Sequence, residues 1–192
     1  MRLVELIDTT DKIVDKYFNE DNISFNNIEQ IEFANCKFEN VVFENSSLLN
    51  VNFMKCEFNF CVFDNVSIKN VNFYNSKIVN LSFNDSKILN VIWDDSLIII
   101  LAMYNCDIVD TIFKISKIED ISVKICKLNN LNFENSWIEE IELIDNKGSN
   151  KGSLYSSKLN NIKGDIINLQ GFAISLEQIL DYLKKIGINL HE

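Results

Sequence analysis

The 192-residue sequence contains no proline, and its five glycines all lie at or beyond Gly148. Most of the chain therefore lacks the residues that usually turn a backbone. The single histidine, His191, lies next to the last residue, so the commonest general base and any Ser-His or Cys-His pair are missing. No glycine-rich phosphate-binding loop is present either. Together these absences make an enzyme the least expected class of protein.

Long apolar runs and positive charge are also scarce. The longest apolar run, residues 97–104, is far shorter than the roughly 20 residues that span a bilayer, and the amino terminus does not resemble a secretory signal. The net charge of −10 disfavours direct binding to nucleic acid or anionic lipid, because both are negatively charged. We therefore expect a cytoplasmic protein with no membrane contact and a protein partner, which includes the basic DNA-binding groove of another protein.

A five-residue repeat dominates the rest of the sequence. Every fifth residue from Phe33 to Leu143 is large and apolar, and a second, smaller series lies two residues earlier, from Ile31 to Ile141. The other positions are mostly Asn, Asp, Glu, Lys and Ser. Neither the helical period of 3.6 nor the strand period of 2 fits this pattern. A five-residue side that turns a corner does fit.

Four such sides make one square coil, and the sequence supports four sides rather than three. Residues at spacing 20 form an aromatic column of Phe33, Phe53, Phe73, Trp93, Phe113 and Phe133, next to a small column of Cys36, Cys56, Ser76, Ser96, Ser116 and Ser136. The sides of successive coils should pair as parallel strands about 4.8 Å apart. The pattern predicts an all-β fold, a quadrilateral parallel β-helix over residues 21–144.

Asn or Asp closes most five-residue phrases. Twelve Asn and five Asp occupy 17 of the 23 corner positions from Asn35 to Asp145. A tight corner needs a positive φ, and after Gly these two residues tolerate it best. β-Branched residues disfavour positive φ, so we expect a different turn type at Ile100, Ile115 and Ile125.

The two ends depart from the repeat. We expect residues 1–20 to form an amino-terminal cap, with one short helix that buries Ile13, Val14, Tyr17 and Phe18. Residues 145–153, DNKGSNKGS, read as an inserted, flexible, basic loop. The repeat then resumes one residue out of phase in a final coil over residues 154–174. Residues 175–192 are expected to form a closing helix, which begins with a capping box of Ser175 and Gln178.

The repeated phrase resembles that of the pentapeptide repeat family, A/C/S/V/N, D/N, L/F, x, x, over about residues 21–174. The resemblance implies a right-handed quadrilateral β-helix, although Phe and Ile replace Leu at the centre and Ala is rare. The closing stretch Gln178-x-x-x-Tyr182-Leu183-x-x-Ile186-Gly187-Ile188 resembles the helix of the gyrase-protecting, Qnr-type branch. That resemblance implies a homodimer paired end to end through Ile179, Leu183 and Ile186. The alternative is a cap on a monomer.

Two hypotheses of function remain open. In the first, the rod mimics DNA through two acidic sides, and the resemblance implies DNA gyrase or topoisomerase IV as the partner, with protection from quinolones or toxins. The acidic residues are Glu44, Asp64, Asp85, Glu142 and Asp145 on the side of Phe43, and Glu119, Asp120, Glu139 and Glu140 on the side of Phe38. In the second, the chain is a scaffold or interaction module unrelated to nucleic acid. Exposed apolar residues would then mark its partner surfaces, with Phe60, Val79, Leu97, Ile99 and Ile100 on one side and Leu49, Leu89 and Val109 on another.

The sequence gives little support for metal or acid-base chemistry. All five cysteines fall in the inward column two residues before the centre, as small core residues. Asp94-Asp95 and Glu139-Glu140 are adjacent carboxylates, but on a convex exterior, where a solvated corner is the simpler interpretation. We expect no disulfide, no metal site, no cofactor and no catalytic residue.

Overall fold

The computed structural model describes residues 3–7 and 10–188. They form a parallel β-solenoid of about eight turns that ends in one α-helix. The helices are two short 3-10 segments, Leu3–Glu5 and Ile166–Leu169, and α1, Leu176–Lys185. None of the helices in these two ranges is long and apolar enough to cross a membrane. The strands, in chain order, are β1 Lys12–Val14, β2 Tyr17–Asn19, β3 Asn22–Ser24, β4 Asn27–Glu29, β5 Glu32–Ala34, β6 Lys37–Glu39, β7 Val42–Glu44, β8 Ser47–Met54, β9 Glu57–Asn59, β10 Cys61–Asp64, β11 Ser67–Tyr74, β12 Lys77–Ile78, β13 Leu81–Asn84, β14 Lys87–Asp94, β15 Leu97–Tyr104, β16 Asp107–Lys114, β17 Lys117–Lys124, β18 Lys127–Glu134, β19 Trp137–Ile144, β20 Gly152–Ser153, β21 Lys158–Lys163 and β22 Phe172–Ala173.

The strand register confirms the four-sided coil. Phe53 pairs with Phe33 below it and with Phe73 above it, and every pairing is parallel. We name the four sides by their central residues. Side A runs through Phe33, Phe53, Phe73, Trp93, Phe113 and Phe133; side B through Phe38, Phe58, Ile78, Ile98, Ile118 and Ile138; side C through Phe43, Phe63, Phe83, Met103, Val123 and Leu143; side D through Leu48, Ile68, Ile88, Ile108 and Leu128.

The central residues line a closed apolar shaft. Each one from Ile13 to Leu143 has at most 3% of its surface exposed. On side A the rings stack, with centroid distances of 5.0 Å from Phe53 to Phe73 and 3.9 Å from Phe73 to Trp93. The small column next to them is hydrogen-bonded. The Ser76 hydroxyl, for example, donates to the Phe53 carbonyl at 3.2 Å. Apolar burial and satisfied polar groups therefore coexist in one shaft.

The corners have the conformation that the Asn and Asp residues predict. The non-glycine residues with positive φ all lie at every fifth position from Asp15 to Asp145. Ile100 is not among them, as expected, but Ile115 and Ile125 have φ of 52° and 57°, so the prediction was wrong at these two. The reason is the stacking of coils. The Ile125 N–H donates to the Ile144 carbonyl at 2.9 Å, and this bond holds the corner in place despite its side chain.

We predict that Ile125→Asn stabilises the protein. The left-handed conformation costs a residue with a Cβ about 1–2 kcal/mol, and Asn recovers part of this through local hydrogen bonding. The free energy of unfolding should rise by about 1 kcal/mol, measured by urea unfolding. Ile100→Asn is the matched control, because Ile100 has no positive φ and should gain nothing. An equal gain at both positions would contradict the strain argument.

The amino-terminal helix prediction was wrong. Strands β1 and β2 occupy that stretch and pair with β5 and β6, so the coils begin near residue 11 rather than 21. Ile13 and Phe18 are buried as expected, but Val14 and Tyr17 are exposed. Ile13 and Phe18 keep the five-residue phase of Phe33, which explains the result. The buried Leu3 covers this end, and its N–H donates to the Asp21 carboxylate at 2.9 Å.

Residues 145–153 do not project as a flexible loop. The Lys147 N–H donates to the Cys126 carbonyl, and the Leu131 N–H donates to the Lys151 carbonyl, both at 2.8 Å. Strand β20 continues the sheet between β18 and β22. Beyond it Ile138 pairs with Leu159, so the predicted shift of one residue is confirmed. The segment is an irregular part of a coil.

Candidate functional site

The closing helix is fixed to the last coil by polar contacts. The capping box forms, because the Gln178 N–H donates to the Ser175 hydroxyl at 3.1 Å and the Ser175 N–H donates to the Gln178 side chain at 2.8 Å. The Gln178 amide also donates to the Leu154 carbonyl at 2.8 Å. Tyr182 is buried, and its hydroxyl donates to the Gly164 carbonyl at 3.2 Å. The helix therefore has a defined orientation on the end of the rod.

The residues predicted to pair two molecules are only partly covered. Ile179 and Leu183 are half-buried, while Ile186 is exposed. Leu176, the first residue of α1, is also exposed. His191 lies outside the described residues. The docked helix thus leaves apolar side chains at the end of the rod.

The acidic residues of side C do not form a continuous stripe. Asp64 stacks below Asn84, Tyr104 and Lys124 in successive coils. Glu142 is ion-paired to Lys124 at 2.7 Å, and this contact lowers the pKa of Glu142. Glu44 lies directly below Asp64, whereas Asn105 and Ile125 separate Asp85 from Asp145 in their column. The acids of side C are therefore interrupted along the rod by neutral residues and by Lys124.

The acidic residues of side B, in contrast, come together. Glu119, Asp120, Glu139 and Glu140 line one surface groove of about 610 Å³. Register explains this, because β17 and β19 pair Asp120 with Glu140 across one coil step. Two of the four are ion-paired, Glu119 to Lys117 at 3.7 Å and Glu140 to Lys163. The groove is the densest acidic site among the predicted positions.

The four groove carboxylates differ in their electrostatic environment. Burial raises the pKa of Asp120, and the neighbouring Glu140 adds to this effect while Lys163 opposes it. The hydrogen bond from Lys163 lowers the pKa of Glu140. Glu139 accepts hydrogen bonds from the Trp137 indole at 3.3 Å and the Asn160 amide at 2.5 Å. Asp120 is therefore the groove carboxylate whose negative charge is least offset by hydrogen bonds or ion pairs.

The cysteines contribute to the core. All five are free and buried. Burial raises the pKa of Cys61 to about 11, and a hydrogen bond to Cys36 together with burial raises the pKa of Cys56. Cys56 and Cys61 are therefore poor nucleophiles at neutral pH, whereas the hydrogen bond with Cys56 lowers the pKa of the buried Cys36 to about 7. Within the described residues no group of three or more His, Cys, Asp or Glu side chains could hold a metal ion.

Sequence reasoning missed several groups around the side B groove. Asn160, Asn161 and Lys185 line it, and Lys163 pairs with one of its carboxylates. These residues follow the shift of phase after residue 153, so their positions could not be counted from the regular repeat. Trp137 could have been found, because it occupies an outward position beside two glutamates.

Comparison with known proteins finds no matching family model and no matching curated protein. Several solved structures are similar over most of the chain, among them the following two. One is QnrB1, a plasmid-mediated fluoroquinolone resistance protein, with 16% identity, a TM-score of 0.46, and coverage of 92% of this chain and 100% of that one. The other is HetL, a pentapeptide repeat protein involved in heterocyst differentiation regulation from the cyanobacterium Nostoc sp. strain PCC 7120, with 5% identity, a TM-score of 0.42, and coverage of 90% and 94%.

The fold assignment depends on the geometry of this chain itself. Its corners recur at every fifth residue, and each strand pairs in register with the strand that lies four sides further along the chain, as Phe53 does with Phe73 and Phe73 with Trp93. α1 follows the last coil and packs on it. The chain therefore has the pentapeptide repeat fold, a four-sided parallel β-helix with a closing helix at its carboxyl end.

Proposed function

We propose that this chain is a non-enzymatic binding protein, a rigid scaffold or adaptor that recognises another protein in the cytoplasm. The observation that carries the proposal is the mixed outer surface. Ion pairs between successive coils, such as Lys77–Glu57 at 3.8 Å on side B and Lys127–Asp107 at 3.7 Å on side D, interleave the two signs of charge, and Phe60 is exposed at the end of side B. Apolar groups within a polar, charge-matched surface are typical of protein interfaces. Direct contact with nucleic acid or membrane is not part of this function.

Affinity capture tests this proposal. The purified chain would be immobilised and incubated with a lysate of its source organism, in parallel with a variant whose side B carries Phe60→Ser and Ile100→Ser. A partner that binds the unmodified chain and not the variant, and that binds again when purified, supports the proposal. If no protein is retained above an unrelated solenoid, the proposal is wrong.

A second candidate is a DNA mimic that acts on DNA gyrase or topoisomerase IV and modulates the effect of quinolones. The observation in its favour is the acidic groove on side B, together with the net charge of −10. A rod of about duplex width with acidic groups can occupy a cationic DNA-binding groove. The interruption of the acids on side C, by neutral residues and by Lys124, weighs against an extended mimic.

A gyrase supercoiling assay, with and without a quinolone and over a salt series, tests the second candidate. A DNA mimic should inhibit or protect the enzyme at low salt and lose its effect as salt rises. A lack of inhibition, protection and binding at low salt would rule it out. This result would leave the scaffold proposal standing, since that proposal does not depend on gyrase.

We further propose that two molecules pair through α1. Exposed Leu176 and Ile186, with half-buried Ile179 and Leu183, give the helix an apolar face that a second copy would cover. Ile186→Asp is expected to convert a dimer to a monomer without unfolding, because Ile186 is exposed. Sedimentation velocity over a concentration series measures this, with Lys184→Asp as the control. A concentration-independent monomer of the unmodified chain would contradict the proposal.

A further inference from the structure

One corner of the rod has a different backbone from the others. At the end of side B, the corner residues Asn80, Ile100, Asp120 and Glu140 have no positive φ, whereas the other non-glycine corners from Asp15 to Asp145 have φ of 47–68°. Strands β15, β17 and β19 run through this corner and pair Ile100 with Asp120. The groove of about 610 Å³ lies along these same coils.

Apolar side chains lie at one end of this column of side B corners. Phe60 is 58% exposed and Ile100 is 42% exposed, although a corner in this repeat is usually Asn or Asp. Ile99 lines the groove beside Ile100, and Val79 occupies the same column one coil earlier. Asn59 lies one coil below Val79 in that column. It is only 8% exposed, and its side-chain oxygen has no hydrogen-bond partner among the described residues.

Carboxylates form the other end. Asp120 has neither an ion pair within 4 Å nor a hydrogen bond to its carboxylate in the described ranges, and burial raises its pKa. Glu139 has hydrogen bonds but no ion pair there. The cation that lines the groove, Lys185, donates to the Asn160 side chain at 3.4 Å. The acidic end therefore keeps an excess of negative charge that a cation from outside could neutralise.

We propose that this groove, with Ile100 at its apolar end and Asp120 and Glu139 at its acidic end, and with Phe60 exposed two coils before Ile100 in the same column, binds an extended segment of a partner protein that carries apolar residues followed by Lys or Arg. The inference depends on the proposed function, because it assigns one surface and one partner chemistry to the binding protein. From Phe60 to Glu140 the column rises four coils, about 19 Å, which is about six residues of extended chain. Apolar anchors beside complementary charge favour a peptide over a nucleic acid, which Asp120 would repel.

The test uses two capped nine-residue peptides of the same composition. In the ordered peptide two leucines and a phenylalanine precede three lysines and an arginine, separated by two serines; in the other the same residues are interleaved. Binding is measured by calorimetry at low salt and by the emission of Trp137, whose indole bonds to Glu139, while Trp93 is fully buried. We expect the ordered peptide to bind about tenfold more tightly, since its anchor residues match the order of the groove.

Matched variants locate the site. Asp120→Asn and Ile100→Ser should each weaken the ordered peptide about fivefold or more. Asp110→Asn on side D and Ile115→Ser at another corner, where the side chain is similarly exposed, should leave its affinity within about twofold. Equal affinity for both peptides, or an equal loss of affinity in the control variants, would mean that binding depends on net charge alone. Either result would overturn the inference. Peptide binding that falls as protein concentration rises would assign the groove to a second copy, which also overturns it.

Failure of the groove and failure of the binding function give different results. If affinity capture retains a partner and Asp120→Asn with Ile100→Ser leaves that partner bound, the groove inference is wrong while the proposed function stands. If capture retains nothing from any variant, the proposed function itself is wrong.

Discussion

Replacing Phe73 with Ala is expected to lower the free energy of unfolding by about 3–5 kcal/mol. Phe73 is fully buried, and its ring stacks on Phe53 at 5.0 Å and on Trp93 at 3.9 Å, with an edge contact to Phe58 at 5.6 Å. The coils above and below are fixed by backbone hydrogen bonds, so they cannot collapse into the space that the ring leaves. The cost therefore includes a cavity as well as lost apolar burial.

Urea unfolding followed by far-ultraviolet circular dichroism measures this loss, and the emission of Trp93 reports on the next coil, where its ring stacks on Phe73. Phe25→Ala is the control, because Phe25 is 80% exposed at a corner of the first coil. Its effect should stay within about 0.5 kcal/mol. Similar losses in the two variants would mean that the central rings do not line a closed shaft, and the fold described above would be wrong.

The interior of the solenoid was predictable because one geometric rule repeats. An inward pair of residues, such as Ile31 and Phe33, recurs every five residues in each coil, so the phase set by Phe33 holds to Leu143. The same phase extends back to Ile13 and Phe18, but the apolar outward residues Val14 and Tyr17 imitate a helix face and concealed it. The amino-terminal helix prediction was wrong because it used the local pattern of apolar residues and not their five-residue spacing from Phe33.

The corner geometry could be predicted only in part. Asn and Asp indicate positive φ from their own preferences, yet Ile115 and Ile125 adopt it because hydrogen bonds between coils determine the backbone. The exceptional corner contains Asn, Ile, Asp and Glu at positions 80, 100, 120 and 140. No single residue type encodes it. The conformation changes within this column, because Glu20, Asn40 and Phe60 have positive φ and the corners from Asn80 to Glu140 do not, so one sequence position cannot reveal which conformation its corner adopts.

The candidate site, like the corners, could be predicted from the sequence only in part. The column of Asp120 and Glu140 follows from the length of one coil, so the repeat alone placed these acids on one side. Their ion pairs do not follow, because Lys163 lies beyond the shift of phase and pairs with Glu140 from the last coil. Charge counted by side therefore overestimated the acidity of an extended surface.

The second large effect concerns the last coil. Gly152 has φ of 142°, and a Cβ built on it would lie 1.7 Å from the Leu131 carbonyl oxygen and 2.5 Å from its carbon. These are backbone atoms of β18, which pairs with β16 below and cannot move aside. Gly152→Ala should therefore cost at least about 3 kcal/mol, from backbone strain together with steric overlap. Gly187 also has a positive φ, 84°, but nothing lies within 4 Å of its built Cβ, so Gly187→Ala should cost about 1 kcal/mol.

This difference has a consequence for function, because β20 pairs with β22 and the Gln178 side chain bonds to the Leu154 carbonyl, just beyond β20. Gly152→Ala should detach the last coil and α1 while the coils below keep their register. Amide hydrogen exchange would then increase over residues 150–188 and remain slow over side A, and the proposed dimer would dissociate in sedimentation. Gly187→Ala should leave both measurements unchanged. Uniform loss of protection along the whole rod would contradict a separable closing unit and would show that the solenoid unfolds as one body.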